Sequence, residues 1–245
     1  GIEYDLIHEI DGVTYHSISS GKLRRYFSVT NFTDVFRVLW GTVQAHGLMR
    51  RLKPDVCFSK GGFVSIPVVI AAHFRRVPTV CHESDLTPGL ANRISARFAD
   101  CVATTFPECA SCLGEKGVMT GTPLRPELFR GTRERGLQLA DFRGDKPVLL
   151  VTGGSQGAQS INLCLRECLP ALLTRMNILH LCGSGHADES LRGLAGYAQF
   201  EFLKDEMPDA LAAADIALGR AGSNTLSELL ALKKPMLLIP YPLTA

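Results

Sequence analysis

The sequence lacks the features of a membrane-spanning or secreted chain. No apolar run approaches the roughly 18 residues that a bilayer-spanning helix requires. The N-terminus, Gly-Ile-Glu-Tyr-Asp, has neither the basic nor the apolar part of a signal peptide, and it has no initiator Met. Charged residues make up 20% and apolar residues 46% of the 245 positions, which is typical of globular chains. We therefore expect a globular protein and a fragment of a longer chain.

The eight cysteines do not form a recognisable metal-binding set. Cys109 and Cys112 form one CxxC without the second pair that a tetrahedral zinc site needs, and Cys164 and Cys168 are one helical turn apart. Packing explains the others, because free cysteine is among the most buried residue types; these are Cys57, Cys81, Cys101 and Cys182. We predict no metal, no cofactor and no redox role, and the cysteine usage favours the cytosol.

The net charge of +2 conceals a strongly basic stretch. Residues 22–76 carry ten basic side chains and two acidic ones, Asp34 and Asp55. Such a surface suits an anionic partner, either lipid headgroups, phosphates or nucleic acid, and the alternative is an ordinary solvated surface. No nucleic-acid-binding motif accompanies the stretch, so nucleic acid is the weakest of these partners.

Short apolar runs alternate with glycine-rich turns and helical stretches along most of the chain. This pattern predicts two α/β domains with parallel sheets. Residues 122–146 contain charges, Pro and Gly without a clear strand, so we expect domains over 1–128 and 147–245 joined by a linker over 129–146. The predicted strands are 54–59, 78–82, 99–104, 117–120, 147–152, 177–182, 215–218 and 235–240.

Two glycine-rich loops in the second half follow strands and precede helices. Glycines at such a turn let the backbone approach a ligand, and the helix N-terminus favours an anion. The first loop, 153–158, is neither GxGxxG nor a Walker loop, and a tight turn is the alternative. The second, 219–225, precedes Glu228, which is placed to bind a ribose. The alternative for Glu228 is a capping box with Thr225.

A third glycine loop in the first half follows the strand at 54–59. Lys60, Gly61 and Gly62 form this loop, and His82-Glu83-Ser84-Asp85 ends the next strand. Ligands of parallel sheets bind at the carboxyl ends of the strands, so these side chains are candidates for a general base. Arg125, in Gly-Thr-Pro-Leu-Arg, lies just before the predicted linker.

Several long motifs occur together in one order. They are SGKLRRYF, KPDVCFSKGGFVSIPVVIAA, HES with TPGLAN, GTPLR, GGSQGAQSIN and GRAGSNTLSELLALKKP. In these motifs the chain resembles the MurG family of peptidoglycan glycosyltransferases over essentially all 245 residues. The resemblance implies a GT-B fold, with two Rossmann-like domains facing a cleft, here incomplete at both ends. It also implies inverting, metal-independent transfer of N-acetylglucosamine from UDP-N-acetylglucosamine to a lipid-linked muramyl-pentapeptide. The absence of any Asp-x-Asp motif is consistent with that chemistry.

The resemblance also implies roles for individual residues. The donor would lie on the C-terminal domain, with Glu228 on the ribose, Arg125 near the phosphates, and Leu203 and Lys204 at the uracil. The remaining donor-side residues would be Gly154, Ser155, Gln156, Gly157, Gly222, Ser223, Asn224 and Thr225. On the acceptor side we expect Lys60, Gly61 and Gly62. Glu83, His82 and Asp85 are the catalytic candidates, although the family carries a histidine-bearing glycine loop before the start of this chain.

Two departures from the family bear on activity. The chain starts after the first glycine-rich loop and stops before the Asp-Gln element that contacts the donor sugar, so we expect little activity from it alone. Position 85 is Asp where many relatives have Asn. The alternatives are a related transferase that makes glycosyl-diacylglycerol, or an inactive nucleotide-sugar-binding fragment.

A helix predicted over 31–51 leads to a membrane hypothesis. Its apolar residues recur at helical spacing at Phe32, Val35, Phe36, Leu39, Trp40 and Val43. Basic residues lie before this helix and at the end of the next one, namely Lys22, Arg24, Arg25, Arg75 and Arg76. We expect peripheral binding to an anionic membrane surface at the cytoplasmic face. The alternative is that the apolar face packs on the sheet.

Overall fold

The chain folds into two compact units. A computed structural model describes Tyr4, Ile7 and residues 10–20, 30–154 and 157–240. The N-terminal unit is Gly1–Gly121 and the C-terminal unit is Thr122–Ala245. The predictions for Lys22, Arg24, Arg25, Ser155 and Gln156 concern residues outside the described ones, as do those for the side chains of Phe32 and Val35.

The N-terminal unit is built on a parallel sheet of four strands in the order β1-β2-β3-β4. The strands are β1 (Cys57–Ser59), β2 (Thr79–Glu83), β3 (Cys101–Thr104) and β4 (Gly117–Met119). Its helices are α1 (Thr30–Leu52), α2 (Ser65–Phe74), α3 (Leu90–Ser95) and α4 (Pro107–Cys112), with a 3-10 turn at Gly114–Lys116. Val69, Cys81, Ala99 and Val102 form its buried core. Because every pair is parallel, the strands end at one edge, where Ser59, Glu83 and Thr104 are brought together.

Helix α1 has one buried and one exposed apolar side. Ala45 is buried on the side that packs against α2. The opposite row consists of Phe36, Leu39, Trp40 and Val43, each about 60% exposed. Within the described part of the chain, no helix combines the length and apolarity needed to cross a bilayer.

The C-terminal unit contains a parallel sheet of five strands in the order β7-β6-β5-β8-β9. The strands are β5 (Val148–Thr152), β6 (Asn177–Leu181), β7 (Tyr197–Phe200), β8 (Ile216–Arg220) and β9 (Met236–Ile239). The helices are α5 (Arg133–Leu139), α6 (Gln159–Leu172), α7 (Met207–Ala213) and α8 (Ser223–Ala231), with 3-10 turns at Pro126–Arg130 and Glu189–Leu191. Strand β5 is buried throughout, which explains why its sequence is uniformly apolar rather than alternating.

The segment expected to be a linker is ordered structure of the C-terminal unit. It contains the 3-10 turn Pro126–Arg130 and helix α5, and Leu128 belongs to the core with Leu150 and Leu203. Arg133 donates hydrogen bonds to the Asp215 carboxylate at 3.0 and 3.1 Å, which ties α5 to the end of α7. The units divide at Gly121, seven residues before the predicted boundary at 128, because Thr122 onward packs with the second sheet.

Candidate functional site

A cavity of about 260 Å³ opens at the carboxyl ends of the central strands of the C-terminal unit. Thr152 and Leu181, the last residues of β5 and β6, form its base. Six predicted donor-side residues line it, namely Arg125, Gly154, Leu203, Lys204, Thr225 and Glu228. We call this space the C-terminal cavity. Its position fits the general rule that ligands of parallel sheets bind at the carboxyl ends of the strands.

The Glu228 carboxyl group has no capping role. Helix α8 begins at Ser223, and its N-cap is Gly222, which has no side chain with which to cap the first turn. Thr225 therefore lies inside the helix, and the capping-box alternative does not apply. Burial raises the pKa of Glu228, while the positive charge of Arg125 opposes that rise. A carboxylate and a cation thus line the same cavity, a combination suited to hydroxyl groups and an anion.

The first turn of α8 and the loop after β5 supply backbone to this region. Ser223 and Asn224 are the first two residues of α8, whose N-terminus carries the positive end of the helix dipole. Gly154 has a φ of +83°, and its N–H donates to Thr152 Oγ1 at 3.2 Å. Gly157 and Gly222 do not line the cavity but lie at the ends of these two loops.

Sequence reasoning missed three cavity residues, in addition to the two at the strand ends. Glu201, Phe202 and Met207 flank the predicted pair Leu203 and Lys204 along the segment between β7 and α7. Gly185 N–H donates to Glu201 Oε2 at 2.9 Å, so that carboxylate braces a neighbouring loop. Strand β7 itself was not predicted, and locating it would have marked the following residues as strand-end positions.

A second cavity, of about 380 Å³, lies at the strand ends of the N-terminal unit. We call it the N-terminal cavity. It is lined by the glycine loop at Lys60, Gly61 and Gly62, by Glu83, Ser84 and Asp85, and by the start of α3 through Asn92. The structure therefore brings the predicted acceptor-side residues together with two of the three catalytic candidates.

Glu83 is a buried carboxylate surrounded by donors. Its Oε1 accepts from the N–H groups of Ser84 and Asp85 at 2.8 and 3.0 Å. Its Oε2 accepts from Gly89 N–H at 2.9 Å and Asn92 Nδ2 at 2.8 Å. Burial pushes its pKa up, but these hydrogen bonds outweigh burial and hold the pKa below its ordinary value. This geometry favours a positioning role for Glu83 over proton transfer.

His82 is held in one tautomer by its two neighbours. Lys60 Nζ lies 2.7 Å from His82 Nδ1, and His82 Nε2 lies 3.1 Å from the Gly121 carbonyl oxygen. A lysine ammonium can only donate a hydrogen bond and a carbonyl oxygen can only accept one. His82 Nδ1 therefore accepts from Lys60, and the Nε2–H donates to Gly121. Lys60 Nζ also donates to Ser84 Oγ at 2.8 Å. Burial lowers the pKa of Lys60, against the opposing charge of Glu83.

Two further groups complete the N-terminal cavity. Asp85 is exposed, unlike the buried His82 and Glu83. Asn92 is buried, and its Oδ1 has no hydrogen-bond partner among the described residues, although its Nδ2 donates to the His82 carbonyl oxygen and to Glu83. A buried acceptor without a partner is a place where a ligand hydroxyl or amide can donate. Gly61 has a φ of +98°, and a Cβ there would lie within 2.9 Å of Asn92.

The cysteines show no metal-binding arrangement. The described residues contain no group of three or more His, Cys, Asp or Glu side chains able to hold a metal ion. Cys109 of the CxxC is fully buried, and burial, followed by the charge of Glu83, raises its pKa to about 11. A thiol with such a pKa is a poor nucleophile at neutral pH.

Comparison with known proteins agrees with both units. Residues 1–104 match the glycosyltransferase family 28 N-terminal domain, and residues 148–245 match its C-terminal domain. A Clostridium novyi protein named UDP-N-acetylglucosamine–N-acetylmuramyl-(pentapeptide) pyrophosphoryl-undecaprenol N-acetylglucosamine transferase is 51% identical over 98% of this chain and 68% of its own length. A Clostridium perfringens protein of the same name is 50% identical over the whole chain and 69% of its own length.

A solved structure agrees with the sequence relatives. The crystal structure of Acinetobacter baumannii MurG aligns with a TM-score of 0.70 and 25% identity, over 100% of this chain and 69% of that one. The predicted α/β fold class, with two parallel sheets of the GT-B type, is confirmed. The chain belongs to glycosyltransferase family 28, in its MurG family of N-acetylglucosaminyltransferases.

Proposed function

We propose that this chain transfers N-acetylglucosamine from UDP-N-acetylglucosamine to the 4-hydroxyl of the muramyl sugar in a lipid-linked muramyl-pentapeptide, in peptidoglycan synthesis. The observation that carries this proposal is the 51% identity to a transferase of that name over 98% of the chain. In the reaction the acceptor oxygen bonds to the anomeric carbon, the bond from that carbon to the diphosphate breaks, and UDP leaves with inversion.

The C-terminal cavity is the proposed donor site. The Glu228 carboxylate accepts hydrogen bonds from the ribose hydroxyls, and the Arg125 guanidinium lies against the diphosphate. Backbone groups at Leu203 and Lys204 meet the uracil. The N-terminus of α8, from Gly222 to Thr225, faces the diphosphate with its positive dipole end. The side chains of Arg125 and Glu228 in one cavity support this assignment.

The N-terminal cavity is the proposed acceptor side. The Lys60 ammonium provides a positive charge, and the buried Asn92 oxygen provides an acceptor for a ligand hydroxyl or amide. The proton of the attacking hydroxyl has to pass to a base. Among the three predicted candidates, the exposed Asp85 carboxylate fits this role better than Glu83 or His82, whose polar atoms are already hydrogen-bonded within the protein.

The decisive test offers labelled UDP-N-acetylglucosamine with two acceptors in parallel. We expect label to enter the lipid-linked muramyl-pentapeptide, at the low rate expected of this chain by itself, and not diacylglycerol. Label in diacylglycerol would instead identify the related lipid glycosyltransferase. Binding of UDP, measured by calorimetry, without transfer to either acceptor would identify a nucleotide-sugar-binding module.

We also propose that the chain binds the cytoplasmic face of an anionic membrane as a peripheral protein. The proposed acceptor is lipid-linked, so the catalytic unit has to work at a lipid surface. The exposed apolar row of α1 and the exposed Arg75 and Arg76 support this proposal.

A further inference from the structure

A buried chain of hydrogen bonds lies behind the glycine loop of the C-terminal cavity. Tyr197 on β7 and His180 on β6 are joined by a 2.8 Å contact between the phenol oxygen and Nδ1. His180 Nε2 lies 3.0 Å from Asn162 Oδ1 on α6, and Asn162 Nδ2 donates to the Cys182 carbonyl oxygen at 2.8 Å. His180 is completely buried, and Tyr197 and Asn162 are at most 6% exposed.

The direction of every donor in this chain is determined. Asn162 donates through Nδ2, so its Oδ1 accepts from the Nε2–H of His180. The remaining ring nitrogen, Nδ1, accepts from the Tyr197 hydroxyl. Burial, and then the charge of Arg166, lower the pKa of His180 to about 4, so the ring is neutral at physiological pH. This series of hydrogen bonds therefore ends at Asn162 Nδ2, which donates to the Cys182 carbonyl oxygen in a fixed direction.

That carbonyl supports the glycine loop. Gly157 has a φ of +73°, and a Cβ at this position would overlap the Cys182 carbonyl oxygen. Gly157 N–H donates to the Gly154 carbonyl oxygen at 2.9 Å, and Gly154 lines the cavity together with Thr152. The backbone that approaches the cavity thus rests directly on the oxygen that Asn162 holds.

We propose that Asn162, His180 and Tyr197 are positioning residues that hold the backbone at Gly154 and Gly157 in its UDP-binding conformation. The inference rests on the proposed donor site. If Asn162 loses its donor, the buried Cys182 carbonyl loses the side-chain hydrogen bond that Asn162 supplies, and the support under Gly157 shifts. UDP binding then has to order the loop, and affinity falls because pre-organisation is lost.

The experiment compares Asn162→Asp with Leu169→Ala in the full chain. Asn162→Asp keeps the side-chain shape but replaces the amide donor with an acceptor. Leu169 lies on the same helix, two turns after Asn162, and is 2% exposed in the core, so its truncation destabilises the same helix without changing a hydrogen bond. The readouts are the Kd for UDP by calorimetry and amide hydrogen exchange at Gly154 and Gly157.

We expect Asn162→Asp to weaken UDP binding about tenfold and to speed exchange at Gly157, while Leu169→Ala changes neither after correction for stability. Tyr197→Phe keeps the ring packing but removes the donor to His180, and we expect a smaller change in the same direction. If the Asn162→Asp protein does not fold, the Tyr197→Phe variant tests the positioning role instead. Equal effects of Asn162→Asp and Leu169→Ala would overturn the positioning role. Failure of the parent chain to bind UDP would refute the donor site, while exchange at Gly157 would still test the positioning role.

Discussion

At the scale of single residues, Glu228 shows how a motif with two meanings is decided by helix geometry. Thr-x-x-Glu at a helix start is a capping signature as well as a feature of the family's ribose site. Because α8 begins two residues before Thr225, the carboxyl group is not needed by the backbone. Its presence in a cavity with Arg125 then supports a ligand-binding role.

Replacing Glu228 with Gln should weaken UDP binding. Loss of charge-assisted hydrogen bonds to the ribose costs about 1.5–3 kcal/mol. Since burial raises the pKa of Glu228, the parent's affinity should also fall as the pH is lowered through that raised pKa, and the variant's should not. Calorimetry across the acidic range checks both effects. Glu206→Gln, an exposed change outside the cavity, is the matched control, and an unchanged Kd in Glu228→Gln would remove the ribose role.

Glu83 and Asp85 are close in sequence but have opposite environments. Glu83 accepts four hydrogen bonds and is 5% exposed, whereas Asp85 is exposed. The sequence motif predicts carboxylates at a strand end, but it cannot distinguish a buried carboxylate that holds the backbone from one that is free to react. The difference arises from the turn after β2 and from Asn92, which comes nine residues after Glu83.

Glu83→Gln should therefore affect stability, whereas Asp85→Asn should affect the rate of the reaction. Gln at 83 meets some of the four donors with an NH₂ group, so we expect a loss of about 1–3 kcal/mol of stability with the Kd for UDP unchanged. Asn at 85, the residue that many relatives carry, should leave stability unchanged. A fall in kcat of about 10²–10⁴ would assign the base to Asp85, and an unchanged kcat would assign proton transfer to another group. Denaturant unfolding and steady-state kinetics separate them. A Glu83→Gln protein that is as stable as the parent but has a lower kcat would reverse the two assignments.

At the scale of secondary structure, long apolar elements were predictable and short polar ones were not. The strand predicted over 147–152 is β5, and the helix predicted over 31–51 is α1. Strand β7, Tyr-Ala-Gln-Phe, was missed because it is a half-buried edge strand of four residues. Helices α5 and α7 were missed because their seven residues are fixed by tertiary contacts, such as the Arg135–Asp209 ion pair, rather than by periodicity.

The stability contributed by His180 on strand β6 should depend on pH. His180 is buried neutral with its pKa lowered to about 4 by burial and, second, by Arg166, whereas the unfolded chain protonates it near 6.5. A lowered folded-state pKa gives stability that is present above about 6.5 and lost as the pH falls toward about 4. The shift corresponds to about 3 kcal/mol.

Amide exchange in β6 between pH 7 and pH 4 measures this loss. His180→Asn should be less stable than the parent at pH 7 but should lose less on acidification, because the buried ring that resists protonation is gone. His186→Gln, at an exposed position on the following loop, serves as the control and should follow the parent. Parallel pH profiles for His180→Asn and the parent would contradict the assignment.

At the scale of the whole molecule, the motif order allowed the family and two parallel α/β units to be predicted, but the division between the units could not be. Residues 122–146 lack a strand, and their polarity is typical of a linker. They belong to the C-terminal unit because Leu128 enters its core and the Asp209 carboxylate accepts from Thr132 N–H at 2.8 Å. Those contacts join positions about 80 residues apart, which local sequence patterns do not reveal.

The basic stretch of the sequence and the apolar row of α1 both bear on the proposed membrane binding. The basic stretch of residues 22–76 lies in the N-terminal unit, and that unit also exposes the apolar row of α1. Phe36, Leu39, Trp40 and Val43 lie within two turns of one helix, so they form a continuous apolar strip rather than scattered exposed residues. An apolar strip and cations on the same unit are features that favour binding to the interface of an anionic bilayer.

Vesicle co-sedimentation tests this arrangement. We expect the parent chain to bind vesicles containing anionic lipid, to bind neutral vesicles weakly, and to be released by high salt, because each basic residue near the surface contributes about 1 kcal/mol. Changing Arg24, Arg25, Arg75 and Arg76 to Ser should abolish most binding. The matched control changes four arginines of the C-terminal unit to Ser, namely Arg130, Arg143, Arg175 and Arg192, which alters net charge equally. Trp40→Ser should weaken binding without changing its dependence on salt, because it removes apolar contact and no charge. Equal binding to both kinds of vesicle, or equal losses in the two arginine variants, would assign the basic surface to solvent and the apolar strip to packing within the protein.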